Sequence, residues 1–199
     1  MIAYVDGFNM YHGLHQGRGR KDLWLDLHSL LSTFLRPGQQ LASVHYFTAM
    51  VNGAGRARQQ TYLDALQAHR GNVQTHVGRF QAKTLTCRQC QQQFQTLEEK
   101  ESDVSLAVQI VEDCAAGAFD TAFVVSGDSD MAPAVRSVRR IAPHKRVVAI
   151  FPPNRSSVEL QGHVDATLRI WPRVPRQHQL PTTVTAPDGT VLTRPRNWA

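Results

Sequence analysis

The chain has 199 residues, 42% of them hydrophobic and 19% charged, an ordinary globular balance in a chain long enough to bury a substantial core as one domain. No apolar run approaches the roughly 20 residues of a membrane span, no basic-then-apolar leader opens the sequence, and three cysteines make no disulfide framework, so a soluble cytoplasmic protein with no membrane partner is expected. A net charge of +6 and an isoelectric point near 9.7 favour a polyanionic partner, because phosphates attract clustered Lys and Arg, although any one basic cluster read alone is more simply a solvated face.

In chain order, "IAYV" is a short apolar run ending at Asp6-Gly7, which reads as a buried strand and a turn, followed by a helix over about 8–16. Leucines at helical spacing predict a helix over 25–35, stopped by "RPG". "ASVHYFTAM" is strand-like, "GRARQQTYLDALQAHRG" is a helix closed by Gly71, and "NVQTHVGRF" is the next strand. Residues 82–97, which contain Cys87 and Cys90, show no periodicity and are expected to form an inserted loop or knuckle. "EEKESDVSLAVQIVEDCAAG" then reads as the clearest helix, with Val104, Ala107, Val108, Ile110, Val111 and Cys114 on one side. A buried strand "DTAFVVSG", a helix "MAPAVRSVRRIA" with Pro133 in its first turn, a buried strand "KRVVAIF", and a last helix and strand in "SSVELQGHV" and "ATLRI" follow. Residues 171–199 are expected to be an extension or hairpin packed on a domain of residues 1–170.

Alternating strands and helices predict right-handed βαβ units, a mostly parallel sheet and a three-layer α/β/α sandwich. In such sheets sites form beyond the carboxyl ends of the strands, where strand order reverses. Asp6 follows one predicted strand, Asp128 and Asp130 follow another, and Asp103 opens the clearest helix in step with Ala107, Ile110 and Cys114. Converging carboxylates repel one another, and a hard divalent cation is the usual way to neutralise them. Each acid also has an ordinary structural reading: Asp6 as a turn residue, Asp128 or Ser129 as a helix cap, Asp130 and Asp103 as first-turn charges favoured by the helix dipole.

"YVDGFNMYHGL", "EEKESDVSLAVQIVED" and "FDTAFVVSGDSDMAPAVRSVR", in that order, resemble the NYN domain family of PIN-like and FLAP-like nucleases over residues 2–169. The resemblance implies a five-stranded sheet in the order 3-2-1-4-5, which puts the strand before Asp6 beside the strand before Asp128. It implies that Asp6, Asp103, Asp128 and Asp130 form a metal-binding acidic centre for Mg²⁺ or Mn²⁺, with Asn9 beside it and Ser126 fixing the loop or a bound water. Lys100 matches a recurrent lysine that holds a phosphate or balances the acids. At Glu101-Ser102 many relatives carry a small residue first, which leaves Asp103 in register and any role of Glu101 in doubt. The implied activity is a metal-dependent ribonuclease that leaves a 5′-phosphate, with an RNA-binding or regulatory module of the same fold and little activity as the alternative.

"NGAGRAR" fails the dinucleotide fingerprint because Arg58 stands where its third glycine belongs, and Arg56 and Arg58 are candidates to grip an RNA phosphate at a helix start. No Walker lysine pattern occurs, and a HAD-type phosphohydrolase needs a second aspartate on the first strand that "VDGFN" lacks. Cys87 and Cys90 form half of a zinc knuckle. A zinc shared between two copies in a homodimer, a zinc completed by His76, and a metal-free loop are the three readings, with Cys114 placed in the core. Tyr11 and Phe80 are candidates to stack on bases, with core packing as the simpler reading.

Overall fold

A computed structural model describes residues 1–198, and within them not the side chains of residues 18 and 97–99. Strand β1 (Ile2–Asp6) runs straight into helix α1 (Gly7–Arg18), followed by α2 (Leu27–Ser32), β2 (Ser43–Ala49), α3 (Arg56–Arg70), β3 (Val73–Thr86) and β4 (Gln93–Lys100). Then come α4 (Ser102–Ala115), β5 (Thr121–Val125), α5 (Ala132–Ile141), β6 (Arg146–Phe151), α6 (Val158–Gln161), β7 (Ala166–Arg169) and a separate pair, β8 (Thr183–Thr185) and β9 (Val191–Thr193). Among the described residues no helix is long and apolar enough to cross a membrane.

The main sheet is mostly parallel and has seven strands, in the order β4-β3-β2-β1-β5-β6-β7. Both the five-strand count and the order 3-2-1-4-5 are thereby corrected: β4 lies antiparallel outside β3, and β7 lies parallel outside β6. β1 pairs with β2 on one side and with β5 on the other, both in parallel, so the loops after β1 and β5 leave the sheet side by side.

Alternation along these strands builds two cores on the two faces of the sheet. Ala3, Val5, Phe123, Val125, Val148 and Ile150 face the side packed with residues of α1, α2, α3 and the C-terminal segment. Ile2, Tyr4, Ala122, Val124, Val147 and Ala149 face the side packed with residues of α4 and α5. By the same alternation Asp6 and Ser126 belong to the second face, at the ends of their strands.

Two expectations change with the packing. Residues 82–97 are no irregular loop: they form most of a hairpin in which Arg79–Thr86 pairs with Gln93–Lys100 and the turn between holds both cysteines. Only the first part of β3, up to Gly78, also pairs with β2, so the rest of the ribbon buries neither face and its sequence shows no alternation. Helix α4 buries Ser102, Leu106, Ile110 and Cys114, whereas Val104 and Val108 are exposed, so its buried stripe is rotated from the expected one. Helix α2 is also shorter than 25–35.

Between β4 and α4 the chain turns through Glu101, at φ 83°. This is the left-handed region, where a Cβ meets the following carbonyl and glycine rests without strain. At the other end of the chain, Trp198 is buried against Tyr62 and Trp24, with ring centroids 5.8 and 6.5 Å away, and the Trp24 indole N–H donates to the Pro181 carbonyl at 2.8 Å. Helix α3 packs against both β8 and β9.

Glu101→Gly is expected to raise stability by roughly 0.5–1 kcal/mol, the relief of left-handed strain less the added freedom of the unfolded chain, since the exposed Arg79–Glu101 ion pair contributes little. Trp198→Ala is expected to lower it by about 3 kcal/mol, as removal of a buried aromatic does. Urea denaturation of both variants checks these; an unchanged Trp198→Ala midpoint would detach the C-terminal segment from the cooperative fold.

Candidate acidic centre

Asp6 is the last residue of β1 and the N-cap of α1: its Oδ1 accepts the Asn9 N–H at 2.9 Å. Its Oδ2 accepts the Ser126 hydroxyl at 2.8 Å, and the Ser126 oxygen in turn accepts the Asp128 N–H at 3.0 Å. Asn9 Oδ1 accepts the Gly127 N–H at 2.9 Å, a second tie between the loops after β1 and β5. Asp128 caps the 3-10 turn Ser129–Met131, its Oδ1 accepting the Asp130 N–H at 3.0 Å.

Two glycines permit this approach. A Cβ on Gly7 would lie 2.5 Å from the Phe47 carbonyl, so the helix can start flush against β2 only without one. A Cβ on Gly127 would lie 2.8 Å from the Arg155 Cβ and 2.9 Å from the Ser156 nitrogen, where the loop after β6 crosses the loop after β5.

Asp6, Asp103 and Asp128 face one open cavity of about 300 Å³, shared with Asn9, Arg155, Phe8 and His12. They come from three elements: the end of β1, the first turn of α4 and the loop after β5. The Asp6 carboxyl is pushed up to about 6, chiefly by burial and further by the charges of Asp103 and Asp128, against the downward pull of the Asn9 and Ser126 hydrogen bonds. Asp103 is raised by burial and then by Asp128 and Asp130. His12 is held low by burial and by the nearby Arg155 charge.

Capping and facing the cavity use different oxygens. Among the described residues Asp128 Oδ2 and both oxygens of Asp103 accept no hydrogen bond, while both oxygens of Asp6 are engaged. No three His, Cys, Asp or Glu among the described residues stand close enough to ligate one ion directly. The free carboxylate oxygens nevertheless suit Mg²⁺ or Mn²⁺, because Mg²⁺ keeps several waters and binds through one or two carboxylates plus substrate phosphate.

Asp130 is exposed at the rim, outside the cavity lining, and acts on the centre through its charge on Asp103. Lys100 ends β4 opposite Arg79 and does not line the cavity. Arg56, the first residue of α3, is exposed, whereas the half-buried Arg58 lines a different cavity. Cys87 and Cys90 sit on the hairpin turn, and burial among residues of α5 and β5 removes Cys114 from their reach. His76 does not complete a zinc site with them: Cys87, just past the end of β3, lies eleven residues further along the chain, roughly 36 Å at strand rise, and His76 Nε2 shares a 2.9 Å hydrogen bond with His45 Nδ1. One copy thus offers two cysteine ligands there. Tyr11 is partly exposed on α1, stacked on His15, and Phe80 meets Phe8 edge to face at 5.9 Å.

Arg155 is the residue that sequence reasoning missed. Its Nε is buried without a hydrogen-bond partner, a cationic donor beside three acids. The signal was present: Arg155 follows β6 as Asp128 follows β5, so the strand-end rule applied to "PPNRSS" points to it.

A family model described as the NYN domain matches residues 2–170. The chain is 32% identical to 6-hydroxy-3-succinoylpyridine 3-monooxygenase HspA of Pseudomonas putida (strain DSM 28022 / S16); the match covers 68% of this chain and 54% of that protein, so the chain spans about half the length of this relative. A crystal structure of a protein of unknown function, VPA0982 from Vibrio parahaemolyticus RIMD 2210633, is similar at a TM-score of 0.53 and 17% identity, covering 85% of this chain and 91% of that one, a likeness of fold alone.

Asp128→Asn removes one charge from the cluster and keeps a capping side chain. In EDTA it is expected to unfold about 3 °C above the unsubstituted protein, the effect of relieving roughly 1 kcal/mol of repulsion. Adding Mg²⁺ is expected to raise the melting temperature of the unsubstituted protein more than that of the variant. Equal melting temperatures in EDTA would mean the carboxylates do not repel one another.

Proposed function

Because the chain belongs to the NYN domain family, we propose that it is a metal-dependent ribonuclease and that the acidic centre hydrolyses RNA phosphodiester bonds. The observation that carries this reading is the meeting of Asp6, Asp103 and Asp128, from three separate elements, in one open cavity with Arg155. Hydrogen bonds that lock the two loops together account for the capping roles of Asp6 and Asp128; they do not account for the unpartnered oxygens of Asp103 or the unpartnered Arg155 Nε.

Asp103 and Asp128 would hold the cation, with Asp6 behind them and Asp130 adding charge at the rim. When bound, Mg²⁺ or Mn²⁺ supplies Lewis acidity at the phosphate and a counter-charge to the carboxylates. Asp6 is fixed by Ser126 and by the Asn9 N–H, so it orients without rotating. Arg155 offers its guanidinium to a phosphate oxygen, a charge-assisted contact that also offsets the repulsion of an anionic strand by three acids. Lys100 and Arg56 belong to the basic surface that draws the strand in, in keeping with the net charge of +6.

A second reading takes its cue from the name of the Pseudomonas relative, a monooxygenase of a pyridine, and from an aromatic-lined cavity beside α1: a small heteroaromatic acid as substrate.

Cleavage of a labelled single-stranded RNA tests the first. With Mg²⁺ or Mn²⁺ the protein should cut, EDTA should stop it, and Asp128→Asn should lower the rate roughly 10²-fold or more. RNA that is bound at low salt and never cut would leave an RNA-binding module, with Asp128 as a cap alone.

A further inference from the structure

On the other side of the β1–α1 junction from the acidic centre lies a larger cavity, of about 400 Å³, which nothing in the reading above uses. Its size is in the range of small-molecule sites. Aromatic rings of Phe8, Tyr11, Tyr46, Tyr62 and Trp198 make much of its wall. Phe8 and His12 of α1 line both cavities, so the two adjoin along one helix.

Two features mark the larger cavity as a binding site rather than a packing fault. Tyr46 lines it with a hydroxyl open to the cavity, free to serve a ligand as donor and acceptor because it makes no hydrogen bond among the described residues. Its neighbour Tyr62 does, donating to the Leu25 carbonyl at 3.0 Å. The Tyr46 ring edge and hydroxyl lie over Gly7, where a Cβ would come within 2.8 and 2.9 Å of them, so glycine clears the space in which this hydroxyl sits. The second feature is charge. Arg20 and Arg58 line the cavity, Arg20 exposed and Arg58 half-buried, and neither has an ion-pair partner among the described residues.

Aromatic walls, one unpartnered hydroxyl inside and two unpaired guanidiniums select a planar heteroaromatic ring that carries an anion. A nucleotide fits that description: bases stack on aromatic side chains and are read at their edges by hydroxyls, while arginine holds phosphate. The shared wall of Phe8 and His12 argues for a nucleotide of a strand over a free acid, because a base in the cavity brings its own backbone to the acidic centre.

We propose that this cavity takes one unstacked nucleotide of the RNA, base among the rings against Tyr46 and phosphate at Arg58 and Arg20, next to the bond that is cut. The inference rests on the ribonuclease reading and makes it specific: the substrate must offer an unpaired nucleotide, so duplex RNA is refused.

Nucleoside 5′-monophosphates, titrated in EDTA and followed by the fluorescence of Trp198 and Trp24, test the site without catalysis. Binding is expected, weakened roughly 3–10-fold in Tyr46→Phe by loss of one hydrogen bond and roughly tenfold or more in Arg58→Gln by loss of a charged one. In the cleavage assay Tyr46→Phe should raise KM for single-stranded RNA by a similar factor, and an RNA with one abasic nucleotide at the cut should lose the difference between the two proteins. Cutting with no monophosphate binding and an unchanged KM in Tyr46→Phe would overturn the inference and leave the ribonuclease reading standing. Monophosphate binding that depends on Tyr46 and Arg58 with no cutting would support a nucleotide site and sink the hydrolytic reading instead. A pyridinecarboxylate that binds where no monophosphate does would overturn the inference in favour of a free heteroaromatic acid.

Discussion

The buried hydrogen bond from Ser126 to Asp6, 2.8 Å long, is the contact on which the acidic centre depends. It joins the ends of two strands that are neighbours in the sheet and 120 residues apart in the chain. One hydroxyl serves both sides, donating to Asp6 and accepting from the Asp128 backbone, so the first aspartate of the "DSD" loop is placed by the same atom that orients the carboxylate on β1. Since Asn9 and Gly127 add a second bond across the gap, neither loop can shift without breaking a hydrogen bond to the other.

That fixation is what lets like charges sit together. Left free, carboxylates this close would rotate apart; here the sheet holds Asp6, the first turn of α4 holds Asp103, and the cap geometry holds Asp128. The cost of assembly appears as the upward shift of Asp6, caused first by burial and then by the charges of Asp103 and Asp128, and of Asp103, caused first by burial and then by Asp128 and Asp130. Arg155, packed over Gly127, brings a guanidinium to the same cavity. Stability and function pull in opposite directions at such a centre.

Helix α1 has two jobs because it starts without a linker. Asp6 ends the strand and caps the helix, so residues 7–14 lie within one or two turns of the acids. Phe8 and His12 meet the acidic cavity, while Met10, Tyr11 and Leu14 line the larger cavity with them. A polar centre and an apolar chamber thus share one wall, an arrangement suited to a ligand with an anionic backbone and flat aromatic appendages.

Much of this was legible in the sequence wherever burial is continuous. Apolar runs marked β1, β5 and β6, helical spacing and Gly71 marked α3, and "DGFN" and "SGDSD" marked the strand ends where acids gather, because a strand covered on both faces must be apolar along its length and a helix must end in partners for its free backbone groups. Where burial is lost the signal went with it: the β3–β4 hairpin has no covered face and reads as a loop, and the stripe of α4 was misplaced because Val104 and Val108 are apolar yet exposed. The sequence by itself determined the alternation of elements and the presence of four acids at strand and helix ends. Only the tertiary structure decided that three of them share a cavity while Asp130 stays at its rim, that Arg155 joins them, and that Tyr46 and Arg58 line a chamber next door. Such meetings depend on strand order and on register between segments far apart in the chain, which local periodicity does not record.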